Sequence, residues 1–408
     1  MVSYSTRKEV VMKLAERIQK LGTETAFAVS AEARMFQQQG HKVFPFHLGD
    51  INLPTPDNIV EAAYRAIREG KTGYAPNAGI PELREALAED VNRSHGTHYT
   101  YKNVAIQPGG KPVISKFIQA LMDPGTEVLY PNPGYPIYES QIEFHDGVAI
   151  PYGFQRGESN FRLDLETLEG RITRRTRLLI LNDLHNPTGA EASPEELGRI
   201  AQIVRNHDLY VLCDEAYFDI RYEGRSRSLA SLPGMEERCV LLYTFSKKYA
   251  MTGWRLGAAI GPEGVIDTIS KLSLNDESCT NHFVQWAGLE ALRGDQSGSK
   301  RIIATLQERR DTAVSLLNKI PGVSCYIPQA TFYLYPDVTE VMRRKGFTEY
   351  EPFRRDVLHK TGVSFCTRLH FGRALPGEER KYIRLAYSGI DVGEIQEALE
   401  KFGEYAAD

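Results

Sequence analysis

Two adjacent lysines, Lys247 and Lys248, stand in YTFSKKYAMTGWRLG (243–257), between hydroxyl residues and a run of apolar and glycine residues. A lysine amine becomes a catalyst when it is deprotonated and can form a Schiff base with a carbonyl. That needs desolvation or neighbouring positive charge to lower its pKa. Thr244, Ser246, Lys247 and Arg255 bring hydroxyls, an amine and a guanidinium close together in sequence. Arg255, set among Gly253, Trp254 and Gly257, needs an anion, and a phosphate bound bidentately is a natural one.

Three further clusters carry related chemistry. In QPGGKPV, Gly109 and Gly110 lead into a helix and expose backbone N–H groups at its positive end, which suits a phosphate, although a tight turn reads equally well. In NDLHNPTG, Asn186 either belongs to a plain strand-to-helix turn or aims its amide at a ligand oxygen. In VLCDEAY, Asp214 ends a buried strand, where a carboxylate is costly unless paired. It caps the next helix, meets an arginine or faces a cationic ring nitrogen, with the phenol of Tyr217 three residues on. An amine, a carboxylate, ring-oxygen donors and an anion site are together what pyridoxal 5'-phosphate requires.

The arrangement resembles the class I/II aminotransferases, fold-type I pyridoxal-phosphate enzymes of the aspartate aminotransferase family. The resemblance runs from VSAEARMFQQQG to YIRLAYSGI, and SKKYAMTGWR matches the family's cofactor-lysine signature. It implies that Lys247, not Lys248, is the Schiff-base lysine and general base. It implies that Asp214 holds the pyridinium charge and that Tyr217 and Asn186 bond the ring oxygen. Thr244, Arg255, Gly109, Gly110 and Lys111 would hold the phosphate, and Tyr135 would stack on the ring. Tyr74 would reach the phosphate of a neighbouring subunit, which implies a homodimer. Arg384 would clamp the substrate α-carboxylate, with Gly49 contacting the same group through its backbone. Lys111 points to an acidic amino acid, aspartate or glutamate, exchanging its amino group with a 2-oxo acid; an aromatic, alanine-like or specialised side chain is the alternative. Where relatives carry a Pro-Gly turn, this chain reads VSFCTRLHFG, placing Thr367, Arg368 and Leu369 near the mouth of the site. Arg368 reads first as a solvent-facing charge and second as a recogniser of an acidic substrate. Arg34 reads as a helix-surface charge.

Elements must position these groups. Residues 56–70 and 80–93 read as helices, each with proline near its start. Apolar strands within 104–110, 177–189, 209–217 and 239–248 alternate with helices, one of them opened by a Ser193/Glu196 capping box. That order implies an α/β fold with a mostly parallel sheet covered on both faces; the resemblance sets it at seven strands. Polar and glycine residues cluster after the strand ends, where such sheets bind ligands. Beyond residue 300 a long charged helix leads to short strands at VSCYI, TFYLYP and YIRLAYS. The expected division is 1–50 as a segment joining the small domain, 51–300 as the large cofactor domain and 301–408 as a small α+β domain.

With 49 basic and 53 acidic residues among 408, a net charge of -4 gives no reason to expect nucleic acid or an anionic membrane as partner. Five scattered cysteines form no CxxC pair, and no metal site is expected. The N-terminal residues lack an apolar run of signal-peptide length, so a cytoplasmic protein is expected. Three other readings remain. A lyase or decarboxylase would use the same core groups. A non-catalytic amino-acid sensor would need an added DNA-binding domain. A nicotinamide dehydrogenase would need a G-x-G-x-x-G that is absent.

Overall fold

The computed structural model describes residues 12–22 and 25–408. Residues 1–11, part of the stretch read for a signal sequence and of the 1–50 segment, lie outside the described residues. Seven strands form the central sheet: β1 (Val104–Gln107), β2 (Glu127–Pro131), β3 (Val148–Tyr152), β4 (Thr176–Leu181), β5 (Tyr210–Asp214), β6 (Cys239–Thr244) and β7 (Gly257–Ile260). Their spatial order is β1-β7-β6-β5-β4-β2-β3. The ladder from β6 through β5, β4 and β2 to β3 is parallel, and β7 runs antiparallel to both β1 and β6.

Successive strand side chains point to opposite faces, so a strand covered on both sides must be apolar at every position. Val128 and Tyr130 of β2 enter one core cluster while Leu129 enters the other. Leu178 and Ile180 oppose Leu179 and Leu181 in β4 in the same way, and Leu212 opposes Val211 and Cys213 in β5. Each fully buried leucine of this kind contributes about 1.5–3 kcal/mol. The helix Lys111–Leu121 adds Val113, Ile114, Phe117 and Ile118 to one layer, and Pro81–His95 adds Leu83, Leu87 and Val91 to the other. Strand β7 had no counterpart in the sequence reading because its Gly-Ala-Ala-Ile run is short and small. The smallness is required: a Cβ on Gly257 would lie 2.8 Å from the backbone of Gly109 and from Tyr243 O.

The capping box at the start of the helix Pro194–Asn206 is present, with Glu196 N donating to Ser193 Oγ at 3.2 Å and Ser193 N to Glu196 Oε2 at 2.7 Å. Beyond the helix Ser297–Leu317, Tyr333–Leu334, Ile383–Ala386 and Cys366–Thr367 form a three-stranded antiparallel sheet. The strand expected at VSCYI is reduced to one bridge between Ser324 and Asp337. The Asn318 side chain takes the N–H of Cys325 at 2.9 Å and its carbonyl at 3.0 Å, which occupies the groups a ladder would use. Near the N-terminus, Phe44–Pro45 pairs in parallel with Val363–Ser364. Among the described residues no helix is long and apolar enough to cross a membrane.

Candidate active site

The ends of β4, β5 and β6 open on a cavity of about 530 Å³. Eleven of the thirteen residues expected at the site line it: Asp214, Tyr217, Thr244, Lys247 and Arg255 from the segments at and after β5 and β6; Gly110, Lys111 and Tyr135 from the segments after β1 and β2; and Asn186, Gly49 and Arg384. Gly109 does not line it but packs against Arg255, which does. Tyr74 does not line the cavity and is 89% exposed.

The two lysines are separated by their surroundings. Lys247 Nζ donates to Gly49 O at 2.9 Å inside the cavity. Lys248 instead lies 3.3 Å from Asp219. Burial alone would lower its pKa, but Asp219, Tyr249 and Asp90 raise it above the usual lysine value, so Lys248 stays an ammonium. Gly49 cannot carry a side chain, because a Cβ would run into the hydroxyl of Tyr333.

Asp214 closes β5 and is buried. Burial raises its pKa above the usual carboxylate value, and the Tyr138 hydroxyl, the Ala216 N–H and the nearby Lys247 only partly oppose the rise. Tyr138 Oη donates to Asp214 Oδ2 at 2.5 Å, and Ala216 N donates to Oδ1 at 3.2 Å. Asn182, at the end of β4, donates from Nδ2 to Asp214 O at 2.9 Å and accepts from Asn186 N at 3.0 Å. It thereby ties two parallel strand ends into one rigid edge. The Asn186–Pro187 peptide is cis, as is Asn132–Pro133. Tyr217 Oη and Tyr333 Oη lie 2.7 Å apart.

One end of the cavity is built for an anion. Gly110 precedes the helix Lys111–Leu121, whose first N–H groups lack helical partners and face the positive end of its dipole. Arg255 adds its guanidinium there from a left-handed backbone position at φ 54°. Strain of that kind concentrates at functional sites. Gly109, at φ +101°, packs its Cα against that guanidinium so closely that a Cβ would overlap Nη2. Thr244 Oγ1 lies 2.9 Å from Ser246 Oγ.

At the other end, Arg384 is only 4% exposed. It donates from Nη1 to Asn186 Oδ1 at 3.1 Å and from Nη2 to His47 O at 2.6 Å. Its guanidinium lies between the rings of Tyr333 and Phe371, at 4.6 and 4.5 Å. Among the described residues no carboxylate pairs with it, and its Nε has no hydrogen-bond partner. Burial, with Arg384 second, pushes the His47 imidazole down to about 4, so it adds no charge beside the guanidinium. A buried cation of this kind calls for an anion.

Arg368 contradicts its solvent-facing expectation. It is buried, with Nε and Nη2 on Glu378 Oε1 at 3.1 and 2.5 Å and Nη2 also on Asn132 Oδ1 at 2.8 Å. Its Nη groups also donate to the carbonyls of Gly372 and Arg373 at 3.3 and 3.1 Å. The guanidinium is spent on fixing this loop, and Arg368 does not line the cavity. Its neighbours His370 and Phe371 do. Lys111 Nζ lies near the faces of Phe27 and Tyr135, at 5.9 and 5.7 Å. Arg34 is exposed, as expected. Asn182, Tyr138, Tyr333 and Phe27 were not singled out from the sequence: a polar strand end and aromatic residues carry no local mark of a cavity.

A family model described as "Aminotransferase class I and II" matches residues 41–402. A probable aspartate/prephenate aminotransferase of Aquifex aeolicus is 36% identical over 403 residues, covering 95% of this chain and 99% of that protein. An aspartate aminotransferase of Musicola paradisiaca is 32% identical over 399 residues, covering 97% and 98%. Among solved structures, the aspartate aminotransferase of Thermus thermophilus with maleate superposes with a TM-score of 0.87 at 30% identity, covering 97% of this chain and 100% of that one. A cavity at the strand ends that gathers Lys247, Asp214 and Arg255, in a chain matched along nearly its whole length, places this protein in the class I and II aminotransferase family, whose members move an amino group between an amino acid and an oxo acid.

Proposed function

We propose that the chain carries out this transamination with pyridoxal 5'-phosphate held in the 530 Å³ cavity. The observation that carries the reading is the convergence there of Lys247, the buried carboxylate of Asp214 and the anion cradle of Gly110 and Arg255. The residues fit the group. Asp214 is a buried acid that needs a cationic partner, and Arg255 with the helix N-terminus needs an anionic one. Bound pyridoxal phosphate supplies an aldehyde that exchanges amines and a cationic ring that accepts an electron pair.

The chain's own groups perform the rest. Arg384 receives the substrate α-carboxylate through its buried fork, with Gly49 beside it, and so orients the α-carbon. The amine of Lys247 takes the α-proton and returns it at a different carbon, acting first as base and then as acid. Asp214 keeps a proton at the ring nitrogen, while Tyr217 and Asn186 donate to the ring oxygen. Thr244, Arg255, Gly109, Gly110 and Lys111 hold the phosphate, and Tyr135 covers the ring face. Lys111, near the rings of Phe27 and Tyr135, favours an acidic side chain, aspartate or glutamate. The aspartate in the relatives' names and the maleate in the Thermus thermophilus structure support this choice.

Residues 51–300 form the cofactor domain in this reading, and 1–50 joins 301–408. The parallel pairing of Phe44–Pro45 with Val363–Ser364 supports that division. The functional protein is a homodimer, in which the exposed Tyr74 reaches the phosphate held by the other subunit.

The test is an absorbance spectrum of the purified protein with pyridoxal phosphate, before and after single amino acids are added. A visible band that aspartate or glutamate converts to the amine form of the cofactor is the expected result. A band that responds only to aromatic or alanine-like amino acids overturns the acidic substrate, and no band at all overturns the cofactor.

A further inference from the structure

Arg368 lies outside the cavity, yet it joins two stretches of chain that reach into it. We propose that Arg368 is a positioning residue for the substrate carboxylate: it pins the strap 366–373 to the loop after β2 and so holds the Phe371 ring against the Arg384 guanidinium. The proposal rests on the reading above in which Arg384 receives that carboxylate.

The strap begins in the strand Cys366–Thr367, where Cys366 pairs with Arg384 itself. A short turn, Arg368–Phe371, follows, fixed by Thr367 N donating to His370 Nδ1 at 3.1 Å. The chain then crosses the loop after β2. Asn132, fully buried there, meets it with both ends of its amide: Oδ1 accepts from Arg368 Nη2 at 2.8 Å, and Nδ2 donates to Arg373 O at 2.9 Å. Gly134 N donates to Phe371 O at 2.8 Å. The approach is close enough to require Gly372, whose φ is +116° and whose Cβ would lie 2.7 Å from Asn132 Oδ1. Tyr135 follows Gly134 directly. One guanidinium therefore ties together two walls of the cavity, with Tyr135 on one and His370 and Phe371 on the other.

The energetics follow from what Arg368 satisfies. Glu378 balances its charge, while Asn132 Oδ1 and the carbonyls of Gly372 and Arg373 take its remaining bonds. Removing the guanidinium leaves buried acceptors without their donor, which favours separation of strap and loop. The far end of the strap is where this reaches the chemistry. Phe371 and Tyr333 lie 4.5 and 4.6 Å from the Arg384 guanidinium, one ring on each side. A planar fork held in this way keeps the orientation that bidentate recognition of a carboxylate needs. With the strap loose, Arg384 loses one of its two rings. None of the Arg368 hydrogen-bond partners belongs to the segments that carry Lys247, Asp214 and Arg255, so the cofactor end is left as it is.

The experiment compares wild type, Arg368→Gln, Arg368→Lys and Phe371→Leu, each loaded with pyridoxal phosphate. It measures kcat and KM for aspartate, alanine and phenylalanine, the dissociation constant of maleate by calorimetry, the visible absorbance and the thermal midpoint. Arg368→Gln is expected to raise the maleate dissociation constant, and KM for every amino acid that wild type turns over, by about tenfold. Its kcat stays within about threefold of wild type, and its visible absorbance is unchanged. Arg368→Lys keeps a charge for Glu378 but not the fork, and falls between the two; it keeps the comparison informative should the glutamine variant fold poorly. In a Phe371→Leu background, Arg368→Gln adds little further loss of maleate affinity, because Arg368 acts through that ring.

A lower thermal midpoint with KM and maleate affinity unchanged makes Arg368 a purely structural residue and overturns the proposal, while the reading of Arg384 stands. A loss confined to acidic amino acids places Arg368 at the substrate side chain and overturns it as well. So does an undiminished further loss in the Phe371→Leu background. A wild-type protein that neither turns over an amino acid nor binds maleate removes the carboxylate role of Arg384, and the proposal falls with it.

Discussion

Adjacent lysines with the same chemistry end in different surroundings: Lys247 reaches a carbonyl inside the cavity, and Lys248 is committed to Asp219. Replacing each therefore has unequal consequences. Lys247→Ala is expected to abolish the visible lysine-bound absorbance and lower kcat by about 10²- to 10⁴-fold or more, the range for a lost proton-transfer group. Lys248→Ala is expected to keep the absorbance, at a modest loss of stability from the broken ion pair. Spectra and steady-state rates of the two proteins check both. Arg384 supports a second prediction at this scale. Its fork is fixed by Asn186 and His47 O between two aromatic rings. Arg384→Lys keeps a charge but loses the bidentate geometry. We expect kcat/KM to fall by about 100-fold for every amino acid tested, a loss on the scale of about 2–5 kcal/mol for a broken buried charge contact. A loss confined to acidic amino acids would instead place Arg384 at the substrate side chain.

Elements decide how much of this was legible. Strands β2, β4 and β5 are buried on both faces, so their apolar runs announced themselves, and Asp214 at the end of β5 marked the cavity edge. The Lys247 side of the cavity was readable for the same reason: Asp214, Asn186 and Lys247 lie at or just after strand ends, where local sequence and cavity wall coincide. The loop of residues 367–371 was not. Arg368 is satisfied by Glu378 and Asn132, contacts 10 and 236 residues away in sequence that no local pattern could reveal. Tyr138 was silent because a buried tyrosine on a helix looks the same whether its hydroxyl is used or idle. The glycines at the anion end allow a sharper test. Gly109→Ala would need a left-handed backbone and would press its Cβ into the Arg255 guanidinium. Cofactor affinity, measured by titrating the visible absorbance, is expected to drop about tenfold or more, with a smaller loss of thermal stability. Unchanged affinity would remove the Gly109–Arg255 contact from the phosphate site.

The whole molecule adds two constraints, one on pH and one on assembly. Burial lifts Asp183 to about 8, against the Ala192 N–H that favours its ionised form. The fold thus holds a proton there that the unfolded chain releases near pH 4. The sign follows: the contribution of Asp183 to stability is fullest below about pH 4, falls by about 1.4 kcal/mol per pH unit as pH rises toward 8, and levels off above it. Asp183→Asn is expected to flatten that slope in urea midpoints taken across this range. Assembly concerns Tyr74, which is 89% exposed and outside the cavity of its own chain. If Tyr74 completes the site of a second copy, damage to Tyr74 and to Lys247 must complement between subunits. Mixing Tyr74→Ala with Lys247→Ala by refolding together gives half of the dimers one subunit of each kind. In such a dimer, one site joins an intact Lys247 to an intact Tyr74, and the other lacks both. About a quarter of all sites should therefore recover full activity, well above the average of the two variants measured apart. Activity equal to that average would leave Tyr74 outside the neighbouring site, and each subunit would have to complete its phosphate cradle from its own Thr244, Arg255 and helix N-terminus.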